Sequence, residues 1–175
     1  METILFITQN DIKKNTIISG AVDPDKYLQF VKIAQEIHVQ NYLGTKLYER
    51  IVDYVETNGS QNGNSSGQDT DPEKVLIDKF LKPMTIYWAM VEYVSVGAFD
   101  ITNKGVLRHT SETAETVSKS DLDYLVTKYR DLAQYYTDRF IDFMCYNQQT
   151  YPEYNENNND DRYPSRESYF GGWQI

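Results

Sequence analysis

Residues 35–51 read QEIHVQNYLGTKLYERI. Apolar side chains recur at helical spacing on both sides of Gly44-Thr45, and this pair suits the end of one helix and the start of the next. Glycine tolerates the positive-φ backbone that closes a helix, and a threonine hydroxyl accepts from the first free N–H groups of its successor. The stretch therefore predicts the joint of a helical hairpin. The first arm opens at Asp23-Pro24, an N-cap followed by an N1 proline, and Tyr27, Phe30, Val31, Ala34 and Ile37 form its apolar stripe over residues 23–40. The second arm carries Leu47, Tyr48, Ile51, Tyr54 and Val55 on one face.

Similar signals continue outward from the joint. Upstream, Thr8 with Asp11 caps a short helix running to about Lys14, and Ile4 to Ile7 supply an anchor. Downstream, TNGSQNGNSSGQDTD at 57–71 has no apolar side chain to offset the entropy of ordering and predicts a mobile loop. Asp71-Pro72 then opens a helix whose apolar pattern runs from Val75 through Met84, Tyr87, Met90, Val91 and Val94 to Ala98. Pro83 lies inside it, so a kink or a break is expected there. Residues 101–119, ITNKGVLRHTSETAETVSK, change to β-branched residues among polar ones and predict a projecting loop or irregular β-hairpin. Ser120 with Asp123 resembles a capping box, and Leu122, Leu125, Val126, Tyr129, Leu132, Tyr136, Phe140, Phe143 and Met144 define a last helix ending near Tyr146.

The expected fold is all-α: a small helical bundle over 1–150, followed by an extended tail over 151–175. That tail has two prolines and a run of Asn and Asp, and it lacks periodicity. Yet it carries Tyr163, Tyr169, Phe170, Trp173 and Ile175, apolar groups unusual in a purely solvating segment. These are the expected anchors of an interaction tail that orders on a partner, with Tyr169, Phe170 and Trp173 foremost.

Composition limits the functions available. A net charge of −9 would repel a phosphate backbone unless a basic patch overrode it, and no Lys/Arg cluster does so. Aromatic content of 14%, with 15 tyrosines, favours protein interfaces, where a large ring with a water-tolerant hydroxyl is useful. No apolar run approaches the ~20 residues that span a bilayer, so no membrane partner is expected. The start METILFITQNDIKK has neither a basic segment nor a small-residue cleavage site, which leads us to expect a mature cytosolic chain.

Chemistry is sparse. His38 has Ala34, Gln35, Asn41 and Tyr42 as its same-face neighbours, and none is a carboxylate, thiol or imidazole. It is expected to be a packing or polar-contact residue. His109 lies near Glu112 and Glu115 with no second histidine or thiol to complete a metal site. Asp138 and Asp142 share a helix face but suit a solvated surface. Cys145, the single cysteine, reads as a small core residue. A helix-turn-helix DNA reader is disfavoured because Lys46 and Arg50 are outweighed by Glu49, Asp53 and Glu56. No cofactor is expected. The rival to a structural protein is a small helical enzyme or metal protein that gathers His38, His109 and nearby acids.

Several stretches carry a family resemblance: ITQNDIKKNT, SGAVDPDKYLQFVKIAQEIHVQNYLGTKLYERI, FLKPMTIYWAMVEY, NKGVLRHTSETAE and YPEY. The chain resembles the head-tail connector, or adaptor, family of tailed bacteriophages, most closely the branch in phages of gut Bacteroidota, crAss-like phages among them. YLGTKLY and KGV are the most specific segments. The resemblance implies a virion protein made in the host cytoplasm and located at the neck, without catalysis. Its copies would form a ring, usually dodecameric, below the portal protein and against other neck or tail ring proteins, with genomic DNA passing through unbound. It also makes the 101–119 loop, through Lys104, Val106, Arg108 and His109, a candidate contact with a neighbour or the channel. The glycine-serine-asparagine loop and the long tail depart from the simplest adaptor pattern.

Overall fold

The computed structural model describes residues 4–18, 22–58, 70–97, 118–155 and 161–167, together with the backbone of 99–102 and 105–108. The fold is all-α. Helix α1 spans Gln9–Asn15, α2 Pro24–Ala34, α3 Gln40–Leu43, α4 Thr45–Asn58, α5 Pro72–Leu76, α6 Lys82–Val96 and α7 Lys119–Tyr146. Between α6 and α7, strands β1 (Phe99–Thr102) and β2 (Gly105–Arg108) pair antiparallel, with Phe99 opposite Arg108 and Ile101 opposite Val106.

Helix α6 lies between α2 and α7 and organises the bundle. Met84, Thr85, Ile86, Trp88, Ala89, Met90 and Val91 are all buried, which leaves this helix apolar nearly all round and in need of cover from more than one side. The indole N–H of Trp88 donates to Thr137 Oγ1 on α7 at 3.1 Å, and Thr137 in turn donates to the Ala133 carbonyl. Tyr87 stacks on Tyr136 and Phe80 on Phe143 along the same seam.

Two π-helical turns set the phase of the core. The first, Gln35–Val39, joins α2 to α3, with the N–H of Gln40 donating to the Gln35 carbonyl. Its extra residue rotates the following side chains, so Gln35, Val39, Tyr42 and Leu43 face inward, whereas Ile37, assigned to the apolar stripe by its spacing, is 57% exposed. Buried Gln35 then serves as a clamp. Its Oε1 accepts from the Phe6 N–H at 2.9 Å, and its Nε2 donates to the Ile4 carbonyl and to Tyr48 Oη.

The second π turn, Ile77–Leu81, joins α5 to α6. It resolves the expected break at Pro83. The hydrogen-bond ladder of α6 restarts at Lys82, and the proline falls in that first turn, where a missing N–H costs least. The helix continues through it.

The capping signals are partly shifted. Thr8 and Asp11 form the expected capping box. Helix α7 is capped by Ser118 with Asp121, two residues before the Ser120/Asp123 pair suggested by the sequence. Asp71 stands at the N-cap of α5 without a side-chain cap hydrogen bond, and its carboxylate accepts from the Tyr54 hydroxyl at 3.0 Å.

Gly44 is the joint, with φ of +75°. A Cβ there would lie 2.5 Å from Pro164 Cγ, so this glycine answers both the backbone and a close neighbour. Gly44→Ala is expected to destabilise by about 1–3 kcal/mol, a fall in Tm of roughly 3–10 °C for a chain of this size. Adding Pro164→Ala should recover the part due to the clash and leave the part due to φ. Thermal unfolding of the two variants checks this, and an unchanged Tm in Gly44→Ala would contradict the joint as described.

Candidate interaction surface

His38 lies flat on Trp88, ring centroids 3.9 Å apart and planes 8° from parallel, and its Nε2 is 3.0 Å from Glu92 Oε1 on α6. The partner carboxylate comes from another helix, which spacing along α2 cannot reveal. Burial is the largest influence on the imidazole and holds its pKa below the usual value, although the Glu92 hydrogen bond and charge act the other way. The arrangement fits a packed, neutral histidine. Among the described residues, no group of three or more His, Cys, Asp or Glu is placed to hold a metal ion.

A second charged cluster ties the tail to the body. Arg50 on α4 donates from Nε to Glu73 on α5 at 2.9 Å, and from Nη1 to Glu153 at 2.9 Å, with its guanidinium over the Tyr151 ring. Burial acts to lower the arginine pKa, but the hydrogen bond to Glu73 and the charges of both carboxylates raise it overall. Arg50 is therefore engaged within the fold, a further obstacle to a phosphate-reading α4. The Tyr151 hydroxyl donates to the Pro72 carbonyl at 2.8 Å.

Tyr151 and Tyr154 are each only 1% exposed and pack on Phe143 and Phe140. Tyr151 and Tyr154, just past the boundary expected at residue 150, thus pack into the core. A strap over 161–167 also docks on the body. The Thr45 N–H donates to the Arg162 carbonyl, the Arg162 N–H to Thr45 Oγ1, and the Ser165 N–H to the Asn41 carbonyl, while Pro164 is buried against Gly44. Thr45 thus caps a passing segment as well as opening α4.

Among the described residues, the outer face of α7 carries four of the eight exposed large apolar side chains. Tyr124, Leu132, Tyr135 and Tyr146 are 65%, 41%, 59% and 89% exposed. At 100° per residue they fall within a sector of about 80°, opposite the face that buries Tyr129, Ala133, Thr137, Phe140 and Met144. Leu132, expected in the core stripe, stands outside it because a step of three from Tyr129 rotates it away from Ala133 and Phe140. Cys145 is likewise exposed rather than a core residue, being one position off the inward-facing Met144. Lys128 lies over the Tyr124 ring and Arg139 over Phe80. A helical projection of residues 119–146 would have shown this second sector, which is invisible when only one apolar stripe is sought.

Of the anchors expected in the tail, Tyr163 sits on the strap, half exposed, with the Arg166 guanidinium 5.9 Å from its ring centre. Tyr169, Phe170, Trp173 and Ile175 lie outside the described residues, as do Lys104, His109 and most of the 57–71 loop. Val106 and Arg108 are in β2, opposite Ile101 and Phe99. Asp138 accepts from Gln134 Nε2.

Residues 39–164 match a family described as one of unknown function, DUF6712. The chain belongs to the DUF6712 family. The DUF6712 match begins in the first π turn and ends at Pro164, so it spans the joint, the bundle and the strap proline that covers Gly44. No curated protein and no solved structure matches the chain. Among the described residues, no helix is long and apolar enough to cross a membrane.

Two outcomes follow from the buried charges. His38 has a folded pKa below its unfolded value, so the unfolded chain binds more protons between the two. Its contribution is present above about pH 6.5, the unfolded value, and is lost as the pH falls toward the folded pKa. Urea unfolding of the native chain should show stability decreasing from pH 7.5 to 5.5, with a smaller decrease in His38→Gln. Equal slopes would contradict the burial argument. Arg50→Met leaves Glu73 and Glu153 without their shared cation and should cost about 1–3 kcal/mol by the same measurement. Adding Glu153→Gln should restore part of that loss.

Proposed function

We propose that the chain is a structural virion protein, a head-tail connector whose copies form a ring below the portal and join the capsid to the tail. The observation that carries this reading is the outer face of α7. A helix that gives one face to the core and holds three tyrosines and a leucine in water along another is suited to being covered by protein. The resemblance of the YLGTKLY and KGV segments to phage adaptors supplies the assembly, and the acidic balance suits a channel wall that must let DNA pass.

Each element receives a role in this reading. The bundle is the rigid body, the β1–β2 ribbon projects to a neighbour or into the channel, and the residues beyond the strap, with Tyr169, Phe170, Trp173 and Ile175, dock on an adjacent ring. Contacts with the portal and with other neck proteins come from the same set of aromatic anchors.

The test uses purified virions together with the recombinant chain. Quantitative mass spectrometry should find the protein in virions at a fixed ratio to the portal protein. A chain ending at Glu167 should keep its helical circular dichroism but form fewer rings by sedimentation velocity. Absence from the particle would overturn the connector role, and undiminished rings in the shortened chain would remove the tail from it.

A further inference from the structure

We infer that the outer face of α7 pairs with the same face of a second copy, antiparallel, about a two-fold axis at Tyr135. The inference deepens the connector reading by naming the partner of that face in the free chain. Between Tyr124 and Tyr146 the same sector also holds the charged residues Lys128, Arg139 and Asp142, with exposed Asp131 about 20° beyond its edge. Their order is self-complementary. When the helix is reversed on itself about Tyr135, each residue is brought level with the one equally far on the other side. Tyr124 then meets Tyr146, Lys128 meets Asp142, Asp131 meets Arg139, and Tyr135 meets its own copy.

The opposite arrangement is penalised by the same residues. A parallel pairing in register would bring each of the four charges against its own kind, so the sequence both favours one orientation and disfavours the other. Asp121, at the start of the helix, would be level with Gln149 of the partner and is already engaged by the Ser118 hydroxyl. Lysine and arginine carry their charge on long flexible stems, which swing from the Tyr124 and Phe80 rings to cross the lateral offset to the partner's carboxylates.

The stripe runs about 33 Å from Tyr124 to Tyr146. A contact one helix wide over that length is at the small end of specific interfaces, so the pair forms reversibly and exchanges with other partners of the same face. A two-fold pair is also closed, whereas a cyclic ring is built from head-to-tail contacts. Pairing through α7 therefore occupies the tyrosine face in the free chain and must open before that face can serve a ring.

The test needs the full chain and surface substitutions that leave the core untouched. Sedimentation equilibrium should show a monomer–dimer equilibrium, with association weakened at least tenfold in Lys128→Asp and in Asp142→Lys, and returned to within about threefold of the native value when the two are combined, as expected for swapped charges in one pair. In a Cys145→Ser background, Tyr135→Cys should oxidise to a disulfide-linked dimer. Tyr124→Cys chains should cross-link to Tyr146→Cys chains when mixed, and neither should do so alone. Monomer at every concentration, failure of the charge swap to restore the dimer, or self-linking of Tyr124→Cys would each overturn the inference. A dimer with this cross-linking pattern in a protein absent from virions would uphold it while removing the connector role.

Discussion

The bundle is governed by the need to cover α6. This helix has almost no face to offer water, and the rest of the chain is arranged to enclose it. Helix α2 closes one side, with His38 laid on Trp88, and α7 closes another through the Trp88 to Thr137 hydrogen bond and the stacked Tyr87 and Tyr136. Burial of this kind dominates folding free energy. Gln35 enters the core paired with the backbone of Ile4 and Phe6, and Thr137 enters it paired with Trp88 and the Ala133 carbonyl.

The sequence was most legible where local chemistry decides the outcome. Thr8 with Asp11, Asp23-Pro24, Asp71-Pro72 and Gly44 each mark a helix boundary by capping, ring geometry or backbone freedom, and each stands at one. It was less legible where an extra residue enters a helical turn. Neither Gln35–Val39 nor Ile77–Leu81 announces a π turn, since a wide turn is chosen by which side chains must reach the core, and that depends on helices distant in sequence. Helical spacing alone therefore places Ile37 inward and gives no sign that Gln35 is buried. Burial within residues 151–167 is hidden from composition for a related reason. The composition there suits an unfolded segment, but Tyr151, Tyr154 and Pro164 find ready sockets against Phe143, Phe140 and Gly44.

The candidate surface was legible in kind rather than in place. Abundant tyrosine points to interfaces, and the aperiodic aromatic residues past 160 are the most conspicuous candidates in the sequence. Helix α7 carries a second aromatic sector of its own, separated from the core sector by the geometry of a single long helix. This division gives the body a rigid aromatic face whose position is fixed by the same packing that encloses α6. A rigid helix presents its side chains with little loss of entropy on binding.

The central claim is that the tyrosine face of α7 is a contact rather than a solvated surface. Hydroxyl-radical footprinting of the chain within purified particles, set against dilute free chain, tests it directly. Tyr124, Tyr135 and Tyr146 should be protected in the particle to the level of buried Tyr151. If they remain as reactive there as in the dilute chain, the face is not used and the account fails.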